Sequence, residues 1–299
     1  MNSVLARSGL VLIDKPVDFT SHDVVARIRR ALHTRKVGHA GTLDPLATGL
    51  LILGIERGTK FLAHMTKATK AYDTTIRLGA TTTTDDAAGE IISTADTFSI
   101  TDEQILTVIQ DSLTGDIMQR PSSVSAIKVD GKRAYARVRA GEEVTLPARP
   151  VTIDSFEVTG ITRHDEGIDI TASIDCSSGT YIRAIGRDLG ELLGCGGHLQ
   201  SLRRTRIADF LLADAMTLDE FEANPQLNMD LDTALIRSYP RLDVTAQQAS
   251  DLSEGKWLVP QGLKGQHVAV DPTGHAIAIV AEKGKRLSTV FVARPKTMQ

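Results

Sequence analysis

Apolar and polar residues alternate strictly through one stretch of this chain. The apolar positions are Ile168, Ile170, Ala172, Ile174 and Cys176. A period of two places these side chains on one face of an extended backbone, so the stretch is predicted to be a half-buried β-strand. Apolar or β-rich runs at residues 9–13, 50–53 and 72–78 predict three further strands.

Three other segments have helical spacing. In the first, Ser21 is predicted to be the N-cap. Its apolar face comprises Val24, Val25, Ile28 and Leu32. The second is predicted to begin with a capping box of Thr101 and Gln104, and the third to end at Gly194. Strands interspersed with helices of unequal length, without a regular βαβ spacing, predict an α+β fold with a mixed or antiparallel sheet.

The last quarter of the chain changes character. From about residue 217 to 238 it is polar and acidic, and a short helix and a linker are predicted there. Short alternating runs follow at residues 267–270, 276–281 and 289–293. These runs predict a small β-rich domain. The expected organisation is therefore a large domain at residues 1–238 and a small one at 239–299.

Composition narrows the class of protein. The 299 residues are 41% hydrophobic and 24% charged, which is ordinary for a globular protein, and the net charge is −3. Cys176 and Cys195 are too few for a disulfide framework or a cysteine zinc site, so no metal is expected. No apolar run approaches membrane-spanning length and the start lacks a signal-peptide pattern, so we expect a cytoplasmic protein without membrane contact.

The segment from Gly38 to Gly49 contains the residues that are candidates for catalysis. It holds three glycines, a histidine, an aspartate and a proline, and is predicted to be a shaped loop throughout. Asp44 precedes Pro45 and is therefore expected in extended geometry. A carboxylate in a shaped loop beside His39 suits a catalytic acid, base or nucleophile. The residues alone equally allow Asp44 to cap a turn while the glycines let the chain bend.

The string K-V-G-H-A-G-T-L-D-P-L-A-T-G-L-L resembles the signature of the tRNA pseudouridine synthases that modify the T-loop uridine, the TruB family. The resemblance implies that Asp44 is the catalytic aspartate and that His39 lies against the site of the target nucleotide. It also implies a pseudouridine synthase catalytic domain at residues 1–238 and a PUA-like RNA-binding domain at 239–299.

Further strings resemble motifs of the same family. D-K-P implies that Lys15 lies near the substrate, and T-K-A-Y implies that Tyr72 stacks on the unstacked base. C-S-S-G-T-Y-I-R implies a catalytic-site tyrosine at Tyr181 and an arginine at Arg183 that pairs with Asp44. A guanidinium can hold a carboxylate by two hydrogen bonds and keep it ionised.

Two more strings imply contacts with RNA. L-Q-S-L-R-R-T-R implies that Leu202 lines the uracil pocket, and Q-R-P-S-S-V-S-A-I-K implies the start of an RNA-gripping insertion at about residues 118–150. Asp86 matches an acidic position that supports Arg183. The predicted RNA contacts are Lys132, Arg133, Arg137, Arg203, Arg204 and Arg206.

The resemblance implies an isomerase that breaks the glycosidic bond of a uridine, turns the base and rejoins it through carbon. The expected partner is the T-stem-loop of tRNA, with no cofactor and no obligate protein partner. Whether Asp44 attacks the sugar or the base, or abstracts a sugar proton, stays open. The alternatives are a non-catalytic RNA-folding factor on the same scaffold, a guide-RNA-dependent relative and, last, a hydrolase that uses Asp44 and His39.

Overall fold

The computed structural model describes residues 4–122, 128–129, 132–133 and 146–298. The strands in this part are β1 Gly9–Lys15, β2 Val37–Ala40, β3 Thr48–Ile55, β4 Lys70–Leu78, β5 Ala80–Thr82, β6 Ile91–Thr94, β7 Gly115–Gln119, β8 Lys128–Val129, β9 Lys132–Arg133, β10 Arg149–His164, β11 Gly167–Cys176, β12 Gly197–Ile207, β13 Phe210–Leu211, β14 Met216–Thr217, β15 Met229–Asp230, β16 Arg241–Asp243, β17 Gln266–Val270, β18 Ala276–Lys283 and β19 Arg286–Val292. The helices are α1 Ser21–Ala31, α2 Gly58–Met65, α3 Asp102–Ser112, α4 Ile182–Leu192, α5 Leu218–Ala223, α6 Leu231–Ser238 and α7 Ala246–Ser253.

The chain forms two compact units. The first comprises residues 1–45, 49–66 and 208–299, and the second comprises residues 46–48 and 67–207. Each unit buries an apolar cluster of its own.

The first unit is organised around β1. This strand pairs antiparallel with β3 and parallel with β14, so the sheet is mixed. Its apolar run is buried because α1 and α5 cover one face. The buried residues that meet there include Val11, Val24, Ile28, Leu51 and Phe221. The strands predicted at residues 9–13 and 50–53 are confirmed as β1 and β3.

The prediction of a linker within residues 217–238 is wrong. Helix α5 begins at a capping box of Thr217 and Glu220. The N-cap of α6 is Asp230, whose side chain accepts from the Thr233 N–H. Both helices are packed in the first unit, since Leu218, Phe221, Leu231, Ala234 and Leu235 are buried. Few apolar residues at i, i+3 and i+4 suffice to fix such short helices, and the polar residues between them hide that spacing.

The end of the chain folds as predicted into a small β-structure. Its sheet has the order β16-β17-β18-β19, and α7 packs on it. Arg57, which precedes α2, is 8% exposed and donates from Nε to the Ala293 carbonyl at 2.8 Å. Asp232 of α6 accepts from the Ala276 N–H at 3.0 Å and pairs with Arg294. The small sheet is therefore joined to the rest of the first unit by buried or half-buried polar contacts.

The second unit is an antiparallel sheet in the order β12-β4-β11-β10-β7. Helices α3 and α4 cover its apolar face. The capping box of Thr101 and Gln104 is present at the start of α3. Helix α4 is capped at its end by Leu193, and Gly194 follows with φ +73°, a conformation that glycine adopts without strain.

Candidate active site

The segment predicted as one loop is shorter in the structure. Its first residues, Gly38 to Ala40, belong to β2, and Thr48 already begins β3, so the loop spans residues 41–47. The prediction is wrong at these ends because Gly38 pairs with Gly54 on β3, and two glycines opposite each other still form the ladder hydrogen bonds. Gly41 and Gly49 border the loop with φ values of +78° and +96°.

A serine side chain holds the main chain beside Asp44. Ser21 Oγ accepts from the Leu43 N–H at 2.9 Å and donates to the Leu43 carbonyl at 3.1 Å. The sequence predicted Ser21 as the N-cap of α1, and this prediction is wrong. Thr20 is the N-cap and forms a capping box with Asp23. The serine, one residue further on, is thus left to fix the residue that precedes Asp44.

Lys15 holds the other side of the same loop. Its side chain is fully buried, and Nζ donates to the carbonyls of Phe19 at 2.5 Å, Pro16 at 2.9 Å and Pro45 at 3.3 Å. The Asp18 N–H also donates to the Pro45 carbonyl, at 2.9 Å. Lys15 therefore supports the residue that follows Asp44, while a direct contact between Lys15 and substrate stays a prediction.

Ser21 and Lys15 thus hold the main chain on both sides of Asp44. Asp44 itself is half-buried. His39, half-buried on β2, meets the exposed ring of His22 edge-on, with 6.2 Å between the ring centroids. Such a loop presents one carboxylate in a fixed place, which is what a nucleophile or a general base requires.

Arg183 and Asp86 form a buried ion pair in the second unit. Arg183 lies in the first turn of α4, and its Nε is 3.6 Å from Asp86 Oδ2, with both side chains no more than 7% exposed. A second Arg183 nitrogen donates to the Thr84 carbonyl at 2.9 Å. Asp86 Oδ1 accepts from Thr84 Oγ1 at 2.5 Å and from the Ala88 N–H at 3.1 Å. The predicted support of Arg183 by Asp86 is confirmed, whereas the pairing of Arg183 with Asp44 stays a prediction.

Tyr181 is fixed by a residue that the sequence did not single out. Gln119, fully buried at the end of β7, donates to the Tyr181 carbonyl at 3.0 Å and accepts from the Tyr181 N–H at 2.8 Å. The guanidinium of Arg149 lies 5.0 Å from the centroid of the Tyr181 ring. In the sequence, Gln119 stood out only as the first residue of the Q-R-P string, which did not indicate a contact with Tyr181.

Tyr72 and Leu202 lie on neighbouring strands, β4 and β12. Tyr72 is 7% exposed and stands opposite Arg204 in the strand register. Leu202 is half-buried and packs against the apolar cluster of the second unit. Contact of either side chain with a nucleotide stays a prediction.

The prediction that Arg204 contacts phosphate is wrong. Its side chain is 1% exposed and bonds to the Tyr72 side chain, and burial lowers the pKa of its guanidinium. Arg203, half-buried, donates to Thr48 Oγ1 at 3.3 Å, and Arg206 pairs with Asp175. The charge run therefore divides into one buried arginine and two at the surface.

The remaining predicted RNA contacts lie at the edge of the described structure. Lys132 and Arg133 form β9, which pairs antiparallel with β8. Their side chains and all of Arg137 lie outside the described residues. In the described ranges, no three His, Cys, Asp or Glu residues are grouped so that they could hold a metal ion. None of the helices in those ranges is long and apolar enough to cross a membrane.

The fold is of the α+β class, with a mixed sheet and a loop that carries Asp44, and comparisons with known proteins show its family. The family descriptions that match are "TruB family pseudouridylate synthase (N terminal domain)" at residues 29–182, "tRNA pseudouridylate synthase B C-terminal domain" at 183–239 and "tRNA Pseudouridine synthase II, C terminal" at 239–294. The chain belongs to the TruB family of pseudouridine synthases.

Relatives align over the whole chain. The tRNA pseudouridine synthase B of Corynebacterium aurimucosum is 61% identical over 298 residues, which is 100% of both chains. That of Rhodococcus jostii is 53% identical over 301 residues, covering 100% of this chain and 98% of the relative.

Solved structures share the fold. A Cbf5-Nop10-Gar1 complex matches with a TM-score of 0.72 and 23% identity, covering 98% of this chain and 87% of that chain. An H/ACA RNP bound to a substrate RNA containing 2'-deoxyuridine matches with a TM-score of 0.71 and 22% identity, covering 96% and 86%. The fold predicted from the sequence, a mixed-sheet catalytic domain followed by a small β-domain, is confirmed.

Proposed function

We propose that this chain isomerises uridine to pseudouridine in the T-loop of tRNA. The observation that carries the proposal is 61% identity over the full length to a relative that is named a tRNA pseudouridine synthase B. The loop around Asp44 supports it, because Ser21 and Lys15 fix the main chain on both sides of one carboxylate.

The proposed reaction conserves all atoms of the substrate. The bond between C1' of the ribose and N1 of uracil breaks, the base turns, and C1' bonds to C5. The proton that leaves C5 is balanced by one that N1 gains. Asp44 starts the reaction as a nucleophile toward sugar or base, or as a base toward a sugar proton, and Tyr181 is proposed to move a proton. No redox reagent or cofactor enters this balance.

The target base must first leave the RNA stack. Extrusion of a base costs a few kcal/mol. In the proposed complex Tyr72 stacks on the base, Leu202 lines the uracil pocket, and His39 stabilises the space that the base vacates. Stacking on an aromatic ring contributes about 1–3 kcal/mol per base, which is enough to offset the cost.

Arg183 is proposed to pair with Asp44 as well as with Asp86, because a guanidinium can hold a carboxylate by two hydrogen bonds. The buried position of Arg183, 6% exposed, supports this role because solvent screens such a guanidinium little.

The rest of the chain is proposed to bind the RNA. The catalytic domain spans residues 1–238, with the insertion at about 118–150 gripping the T-arm through basic residues, and residues 239–299 form a PUA-like RNA-binding domain. The basic residues proposed to contact RNA are Lys132, Arg133, Arg137, Arg203 and Arg206. The enzyme is proposed to work in the cytoplasm, without a partner protein or a guide RNA.

Nucleoside analysis of an unmodified tRNA transcript tests the proposal. After incubation with the purified chain alone, we expect about one pseudouridine per transcript and none in a transcript whose target uridine is replaced by cytidine. Absence of pseudouridine from the first transcript would refute the activity. Accelerated tRNA folding without pseudouridine would identify the folding factor, and product only after addition of a second RNA would identify the guide-dependent enzyme.

A further inference from the structure

We infer that Arg204 is a positioning residue for Tyr72, which it holds through a hydrogen bond to the phenol oxygen within the sheet. The inference rests on the proposed function for the role of Tyr72 in the reaction. The bond itself is a property of the fold and can be measured without substrate.

The register of the two strands brings the side chains together. Arg204 on β12 stands directly opposite Tyr72 on β4. An irregularity in the pairing follows between Arg204 and Arg206, so that the next arginine is not aligned as regular alternation would place it. Such a bulge re-aims side chains. Arg204 is 1% exposed, while Arg203 and Arg206 are half-buried.

The chemistry of the pair fixes which group donates. A guanidinium carries N–H donors and no acceptor. In its bond to the Tyr72 side chain, Arg204 must therefore donate and the phenol oxygen must accept. The hydrogen of the hydroxyl is then directed away from Arg204. Arg204 thus sets both the orientation of the ring and the direction in which Tyr72 can donate a hydrogen bond.

The residues around Arg204 indicate that this arginine is not there for stability alone. Lys70, 9% exposed and two residues from Tyr72 on β4, is a second buried cation, and burial together with Arg204 lowers the pKa of its ammonium. Cys176 stands opposite Lys70, and burial raises the pKa of its thiol to about 11, so it is neutral at neutral pH. Two cations thus lie close together in the sheet. A leucine or methionine in place of Arg204 would remove this repulsion.

A double-mutant cycle with two readouts tests the inference. The variants are Arg204→Met, Tyr72→Phe and the double variant. The first readout is the single-turnover rate of pseudouridine formation with saturating tRNA. We expect Arg204→Met to slow the parent by about tenfold or more, the size of one lost hydrogen bond to a charged group, and to slow the Tyr72→Phe variant by less than about threefold.

The second readout is the midpoint of urea unfolding without RNA. If the bond exists, the midpoint shifts of the two single variants do not add up to that of the double variant. Additive shifts would overturn the bond whether or not the parent is active. An inactive parent with non-additive shifts would refute the proposed function and leave the bond in place. Equal slowing by Arg204→Met in both backgrounds would overturn the positioning role.

Two further variants keep the test sharp. Arg204→Lys retains the charge without the planar fork, and we expect it to recover only part of the rate. It also replaces Arg204→Met if that variant fails to fold. Arg77→Met is the matched control, because Arg77 lies on β4, pairs with Asp169 and is about one-fifth exposed. It should lower the unfolding midpoint and leave the rate unchanged, and a rate loss equal to that of Arg204→Met would overturn the inference.

Discussion

The loop around Asp44 and the buried arginines of the second unit hold their predicted site residues in different ways. Around Asp44, the fixed elements are main-chain groups, held by the hydroxyl of Ser21 and the ammonium of Lys15. In the second unit, the fixed elements are charged side chains that are themselves buried, Arg183 with Asp86 and Arg204 with its bond to Tyr72.

The difference teaches what each arrangement costs. Around Asp44, loss of the Ser21 hydroxyl or the Lys15 ammonium leaves neutral main-chain groups with fewer hydrogen bonds, not an unpaired charge. Buried charges impose a strong field but depend on every partner, since removing one leaves the other uncompensated. Substitutions in the second unit should therefore have larger effects on stability than those around the loop.

The largest effect is expected for Arg183→Met. It leaves the buried Asp86 without its cation, at a cost of about 3–5 kcal/mol in the free energy of unfolding. Urea denaturation of Arg183→Met, Asp86→Asn and the double variant measures this. The double variant should be more stable than Arg183→Met, and a double variant that is less stable would show that the pair is not the source of the loss.

The pH profile of the Arg183 variants separates stability from chemistry. If Arg183 acts on Asp44, the pH profile of the single-turnover rate should differ in shape between Arg183→Met and the parent. Arg183→Lys should restore the rate only in part. Parallel profiles for all three proteins would show that Arg183 does not act on Asp44.

Lys15→Met should come next in size. It removes the ammonium from the carbonyls of Phe19 and Pro16, while the Pro45 carbonyl keeps its bond from the Asp18 N–H. We expect a loss of roughly 2–3 kcal/mol, since each unsatisfied buried group costs about 1–3 kcal/mol and some regain water. Lys60→Met, an exposed lysine on α2, is the control for loss of charge. Equal denaturation midpoints for the two variants would contradict the support of the loop by Lys15.

Ser21→Ala should cost less stability and relatively more activity. Two hydrogen bonds to Leu43 are lost, worth about 1–2 kcal/mol together, and the residue beside Asp44 gains freedom. Ser253→Ala removes a comparable buried hydroxyl, which donates to the Ser250 carbonyl at 2.7 Å. The two variants should unfold at similar urea concentrations, while only Ser21→Ala slows pseudouridine formation. An unchanged rate in Ser21→Ala would show that the bonds from Ser21 to Leu43 do not position Asp44.

The smallest effect concerns pH and a surface pair. Hydrogen bonds from Arg77 hold the pKa of Asp169 below its ordinary value of 3.8. A lowered pKa means that the stabilisation is complete above the ordinary value and is lost as pH falls through the lowered one. Asp169→Asn should cost about 1 kcal/mol at pH 7, since the pair is partly exposed. The difference between parent and variant should vanish below the lowered pKa; a constant difference down to pH 2 would contradict the pair's contribution.

The sequence predicted most of the regular structure and the central loop. Strict alternation at residues 168–176 gave β11, and the apolar runs gave β1, β3 and β4. The string around Asp44 was sufficient to predict the family. These features depend on local pattern, because a period of two places alternate side chains on one face of a strand wherever it occurs along the chain.

The parts that failed depend on contacts distant in sequence. Thr20 and Ser21 are both good caps, and only the fold shows that one caps α1 while the other bonds to Leu43. Similarly, Arg204 looks like its arginine neighbours until the strand register turns it inward. Gln119 anchors Tyr181 across 62 residues of chain, a pairing that no local pattern encodes.

Asp44→Asn tests the central claim most directly. The substitution keeps the size of the side chain and removes its charge, so the loop held by Ser21 and Lys15 should remain. Asp18→Asn is the matched control, an exposed aspartate whose N–H bonds to Pro45 and whose φ of +65° asparagine also adopts. With equal tRNA binding in all three proteins, Asp44→Asn should form no pseudouridine in a single turnover while Asp18→Asn matches the parent. Turnover by Asp44→Asn at the rate of the parent would contradict the catalytic role of Asp44.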